Sequence, residues 1–179
     1  MLARACRFKS CSGHFGKLQL QATVYIKENT YHLAEKEAPT MTRATGTFEV
    51  RLNPLALHGN ADGAPLGRMS IDKQFHGDLE ATSKGEMLTA GTDAKGSAGY
   101  VAIERVSGTL HGCIGTFVLQ HNGIMARGVG QLTVAVVPDS GTGKLVGLAG
   151  KMTINIVDKK HLYDFEYTLA ETPSERKSQ

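Results

Sequence analysis

From residue 41 to residue 169 the chain is a succession of alternating, β-rich segments punctuated by glycine and short turns, with no helical period. That pattern constrains the fold more than any other feature. Parallel strands need crossover segments of about a dozen residues or more, usually helical, and these are missing. The sheet must therefore be antiparallel. Eight strand segments can be read, at 44–52, 68–79, 80–90, 98–107, 108–121, 131–137, 146–157 and 161–169. Asn53-Pro54 is expected to end the first, because proline cannot continue a ladder. Gly85 suggests a bulge in the third, and Asp158-Lys159-Lys160 a polar turn before the last. Eight antiparallel strands with short links are best served by closing into a barrel, which abolishes the edges. Such a barrel has room for packed side chains or one small ligand.

Charge excludes one class of partner. The chain has 20 Lys and Arg against 17 Asp and Glu, but six basic and only three acidic residues lie in residues 1–40. Residues 41–179 then carry 14 of each sign, so the barrel has no electrostatic footprint for nucleic acid. No run approaches the ~18 apolar residues of a membrane helix. Three cysteines, Cys6, Cys11 and Cys113, are an odd set and do not suggest a disulfide framework. A cytoplasmic protein without membrane or nucleic-acid partners is the expectation.

Residues 1–40 read as an extension outside the core fold, with Met41 as a natural alternative start. Residues 41–170 form the barrel domain and 171–179 a polar tail. Cys6, Cys11, His14 and His32 supply zinc-ligand types, but their spacing matches no compact zinc module, and no metal or other cofactor is expected.

The motifs that invite a chemical reading are weak. SGTGK (140–144) looks like a phosphate loop, but Pro138 stands where the first glycine should be and Leu145 where Ser or Thr should follow the lysine. A glycine-rich hairpin is the better reading. His111 and His121 fall on one face if 108–121 is a single strand, and a surface or mouth position suits them better than a ligand role. Tyr163, Phe165 and Tyr167 alternate with Asp164 and Glu166, the pattern of a core face.

Glu104 and Lys73 stand out. Glu104 shares a face with Tyr100, Ala102 and Val106, and Lys73 shares one with Ile71 and Phe75. Facing outward, Glu104 makes a rim salt bridge. Facing inward without a partner, its carboxyl would be pushed up, as a general acid or base requires. A Lys73–Glu104 pair inside the barrel would serve structure as readily as chemistry. Several strands are also apolar on both faces, Val101 and Ile103 opposite Tyr100 and Ala102 for example. A second subunit covering the outside is the simplest account and the N-terminal extension folding back the other, so a homo-oligomer is expected.

The stretches GDLEATSKGEML, YVAIERVSGTLHG, GTFVLQHNGIM and VVPDSGTGKLVGLAG resemble the bacterial family called domain of unknown function 3224. The resemblance spans about Met41 to Leu169. It implies an allene oxide cyclase-like, closed eight-stranded barrel, from a superfamily that includes cyclases and isomerases acting on hydrophobic substrates. It carries over no catalytic residues. The reading is a barrel that binds a small apolar molecule in its lumen. One alternative is a cofactor-free isomerase or cyclase, with Glu104 as acid/base, Phe75, Tyr100 and Phe117 shaping the pocket and Lys73 beside them. The other is a filled barrel acting as an interaction module.

Overall fold

The computed structural model describes residues 40–57 and 66–170. The readings made for residues 1–39 and for the tail from 171 lie outside them. Eight antiparallel strands close into one barrel in sequence order. They are β1 (Thr42–Leu55), β2 (Leu66–Gly77), β3 (Leu79–Gly91), β4 (Ala98–Leu110), β5 (Cys113–Ala126), β6 (Val129–Val136), β7 (Leu148–Val157) and β8 (Lys160–Leu169). β8 returns to β1 through seven residue pairs, from Thr42–Tyr167 to Phe48–His161. No helix among the described residues is long and apolar enough to cross a membrane.

Three of the connections are two-residue turns at His111-Gly112, Arg127-Gly128 and Asp158-Lys159, all with positive φ. That geometry matches the right-handed twist of the flanking strands. The first of these turns corrects one expectation. Residues 108–121 are not one strand but the end of β4 and the start of β5. Leu110 therefore points into the core while Ile114 is exposed, and His111 and His121 belong to different parts of the hairpin.

Two further expectations change. β1 continues through Pro54, which pairs with Met69 of β2. Beyond Phe48 the strand has no β8 partner, so a missing N–H there costs little. Gly85 sits in an unbroken ladder opposite Glu104, so there is no bulge. A Cβ at Gly85 would lie 2.1 Å from the Ile103 carbonyl oxygen and 2.6 Å from Glu104 Cα. Glycine is needed for close strand approach. SGTGK lies in the β6–β7 connection, which carries a single 3₁₀ turn at Gly143–Leu145 rather than a tight hairpin.

The strand alternation sorts the interior into two halves. Toward the end that holds the β4–β5 turn, inward positions are filled by Ala44, Phe75, Leu79, Val106, Leu110, Phe117, Leu148, Phe165 and Tyr167, all buried. Leu145 from the β6–β7 connection plugs this end at 1% exposure. Phe117 stacks on Phe165 with ring centroids 5.9 Å apart, and Phe165 on Tyr167 at 5.3 Å. Each fully buried side chain of this size stabilises by about 1.5–3 kcal/mol. The aromatic face of β8 is core, as its pattern suggests.

The opposite end is open. β6 meets β7 through only two residue pairs, Val134–Met152 and Ala135–Lys151. Toward the β5–β6 and β7–β8 turns the two strands part.

Candidate functional site

The open half encloses a cavity of about 670 Å³. Its walls are apolar side chains at inward positions of neighbouring strands: Val50, Ile71, Met87, Leu132, Ile154 and Ile156 among them. Leu132 and Ile154 stand on the two sides of the β6–β7 gap. The volume lies within the range of about 300–1,000 Å³ that small-molecule pockets generally span.

The polar groups lie where the open half meets the filled one. Lys73 (β2) and His121 (β5) both line the cavity. Behind them lies Glu104 (β4), with no exposed surface. One carboxylate oxygen, Oε1, accepts from Lys73 Nζ at 2.7 Å and from His121 Nε2 at 2.7 Å. The other, Oε2, accepts from Ser83 Oγ at 2.6 Å. Strand parity builds the cluster. Lys73 and Ser83 are directly opposite each other across β2 and β3, and Glu104 and Leu119 across β4 and β5. Ser83 and His121 each stand two residues from Glu104's direct partners, Gly85 and Leu119, on the same inward face. Lys73 also lies over the Phe48 ring, 4.9 Å from its centroid, a favourable cation–π placement.

Burial by itself pushes the Glu104 carboxyl up. The His121 hydrogen bond, the Lys73 charge, the His121 charge and the Lys73 hydrogen bond together outweigh it and hold the group down at about 2. The condition attached to the acid/base expectation, burial without a partner, is thus not met. Glu104 is an ionised acceptor of three hydrogen bonds that orients its neighbours. Tyr100 is raised by burial and then by the Glu104 charge, so its phenol stays protonated and available to donate.

The expected site residues divide. Lys73 and Tyr100 line the cavity, and the Lys73–Glu104 pair exists. Phe75 and Phe117 do not shape the cavity. Both are buried in the filled half, because their positions along β2 and β5 lie beyond the charged layer. His121 was expected at the surface or mouth and is instead 3% exposed within the barrel. Its signal was present in the sequence: it has the same parity along the strand as Phe117 and Leu119. Phe48 and His161, stacked with centroids 4.9 Å apart, also line the cavity. Nothing singled them out, since their role depends on the β1–β8 closure. Among the described residues no three His, Cys, Asp or Glu side chains gather as a metal set.

Residues 44–167 match the family model described as protein of unknown function (DUF3224). The chain is also similar to a crystal structure, solved at 1.84 Å, of a protein with unknown function from the DUF3224 family from Shewanella oneidensis MR-1. The two share 51% identity with a TM-score of 0.71, over 74% of this chain and all of that one. No curated protein matches.

Proposed function

This chain belongs to the DUF3224 family, and from that premise and the geometry of its barrel we propose that it binds a small, largely apolar molecule in the open half of the lumen. The observation that carries the reading is the 670 Å³ apolar cavity with two cationic or hydrogen-bonding groups, Lys73 and His121, at its inner end. A filled barrel would have continued the packing of Phe117 and Phe165 to the other mouth. Water alone is a poor occupant of a space walled by Ile71, Met87, Leu132 and Ile154. The polar end gives the ligand a direction: an oxygen-bearing head toward Lys73, an apolar body toward the mouth.

Charge refines the class. With the His121 ring neutral, Lys73 and Glu104 cancel, so an anionic head would bury a net negative charge, which is costly at low dielectric. A neutral head that accepts a hydrogen bond from Lys73 avoids that cost.

The test uses a neutral, environment-sensitive dye such as Nile red. We expect saturable fluorescence enhancement with the wild-type protein, lost in Thr89→Trp, which places an indole among the cavity walls. Equal enhancement by both proteins would locate the dye elsewhere and remove the reading. Native mass spectrometry of the purified protein would show any retained ligand directly.

The outer face supports the homo-oligomer expectation. Leu88 and Val101 are paired neighbours at 52% and 50% exposure, and Ile103, further along β4 on the same face, is 52% exposed. A contiguous apolar strip of this kind is usually covered. Sedimentation showing a monomer at micromolar concentration would overturn it.

A further inference from the structure

The Lys73–Glu104–His121 arrangement does more than a binding site requires. Buried ion pairs contribute little net stability, because the desolvation of both charges offsets their attraction. A hydroxyl or amide at the same depth would orient a ligand head at lower cost. The cluster places a lysine and a carboxylate-oriented histidine side by side against an apolar cavity. Both donate to the same oxygen of Glu104, each at 2.7 Å.

The histidine's tautomer follows from its partner. An ionised carboxylate only accepts, so Nε2 carries the hydrogen toward Glu104. In the neutral form of that tautomer Nδ1 keeps its lone pair, and His121 is one of the residues that line the cavity. Holding a histidine by one nitrogen so that the other can take a proton is a recurrent device of proton-transfer sites. Lys73 supplies the complementary part, an ammonium N–H placed to meet a carbonyl oxygen.

We propose that this site, resting on the pocket reading above, is catalytic: it enolises a neutral, apolar ketone or enone, with Lys73 holding the carbonyl oxygen and His121 Nδ1 removing a proton from the adjacent carbon. The α C–H bond breaks and its proton goes to Nδ1. The bonding pair becomes the C=C of an enolate, and the carbonyl π pair moves onto the oxygen facing Lys73. Return of the proton to the same carbon regenerates the ketone. Return to the γ-carbon of a β,γ-unsaturated ketone gives the conjugated isomer. No oxidant, reductant or cofactor enters.

The charge balance favours this step. With the His121 ring neutral, the site before transfer carries no net charge, Lys73 being cationic and Glu104 anionic. After it, His121 is cationic and the enolate anionic, so the net charge is still zero. Preorganised charges in a water-poor site stabilise such developing charge well. Glu104 touches no substrate and acts as a positioning residue. Tyr100 also lines the cavity and brings a hydroxyl donor in addition to the Lys73 ammonium.

The experiment follows α-hydrogen exchange of 2-decanone in D2O by NMR, with ketone affinity measured separately by displacement of the dye. We expect saturable exchange by the wild-type protein, about 100-fold or more slower in His121→Gln. Ketone affinity in that variant should stay within a few-fold. Glu104→Gln should lower the maximal rate with little change in half-saturation, a split that a general loss of packing would not produce. Wild-type protein that binds the ketone without accelerating exchange overturns the catalytic proposal and leaves the pocket reading standing. Absence of ketone and dye binding ends both. Exchange that survives in His121→Gln and is trapped by borohydride as a covalent adduct would mean a Schiff base on lysine, which also overturns the role given to His121. The wild-type measurement decides the matter even if a variant fails to fold.

Discussion

The two halves of the barrel are built from the same strands and the same alternation, yet one is solid and the other hollow. The difference lies in what occupies the inward positions. In the filled half they carry Phe75, Phe117, Phe165 and Tyr167, with Leu145 brought in from a connection. In the open half Val50, Thr89, Gly123 and Ile154 hold such positions beside Tyr100, and β6 parts from β7. On the proposed reading, packing and ligand binding are therefore separated along the barrel axis. The layer of Lys73, Ser83, Glu104 and His121 marks the boundary, the one place among the described residues where charge is buried.

The sharpest way to break this contrast is to truncate one residue in each half. Phe117→Ala should lower unfolding free energy by ~3–5 kcal/mol, the usual cost of removing a buried ring. Leu132→Ala, at a mouth position that is 43% exposed, should cost no more than ~1 kcal/mol. Urea denaturation measures both. Similar losses would mean that the open half is packed in solution and the comparison false.

The boundary layer comes next. Glu104→Ala removes the common acceptor of three donors and leaves Lys73 buried without its counter-charge. We predict a loss of ~3 kcal/mol or more. The double variant Lys73→Met/Glu104→Leu should recover most of it, since a hydrophobic pair of similar volume avoids both desolvation costs. A Glu104→Ala protein as stable as wild type would show the cluster to be hydrated from the cavity.

Acid should expose the same layer. Glu104 is lowered from 4.5 to about 2 in the folded protein. A depressed carboxyl contributes stability that is present above its unfolded value and lost as pH falls through the folded one. Its window is thus from about pH 4.5 down to about 2, and its contribution is at most ~3 kcal/mol. Asp78 and Asp164 are also lowered, by the Thr45 backbone N–H and by Arg43 respectively, and they add to the total acid slope. The check is therefore the difference in slope between wild type and Glu104→Gln. An identical dependence would remove the ionised carboxylate from the account.

How far all this was legible in the sequence depends on the distance over which each feature is determined. Strand alternation is local, so eight strands, antiparallel pairing and closure could be read, while the inward or outward side of Lys73 and Glu104 stayed open. The tight turn at His111-Gly112 could not be read: with glycine also at 108 and 115 nothing marked Gly112 as the reversal, so residues 108–110 at the end of β4 were assigned to the next strand. The Lys73–Glu104 pair was open to inference because the two share a parity two strands apart. Which aromatic residues pack and which line a cavity was not, since Phe75 and Phe48 differ only in depth along the axis. Depth depends on the register of every strand at once.

The smallest predicted effects compare two glycines, one at the boundary and one in the open half. At Gly85 an added methyl would meet the Ile103 carbonyl at 2.1 Å and Glu104 Cα at 2.6 Å, both backbone. Neither can yield without parting β3 from β4, so Gly85→Ala should cost ~1–3 kcal/mol. At Gly123 the methyl would meet Cε1 of Tyr100, also at 2.1 Å. Here the obstacle is the far end of a side chain bordering an empty space, and the ring can swing into the lumen. Gly123→Ala should therefore change stability by less than ~1 kcal/mol while the displaced ring reduces dye affinity. The same substitution thus reads as a stability defect at one glycine and a binding defect at the other. If Gly123→Ala were instead the more destabilising, Tyr100 would have to be fixed by packing, and the hollow half would be less free than its cavity indicates.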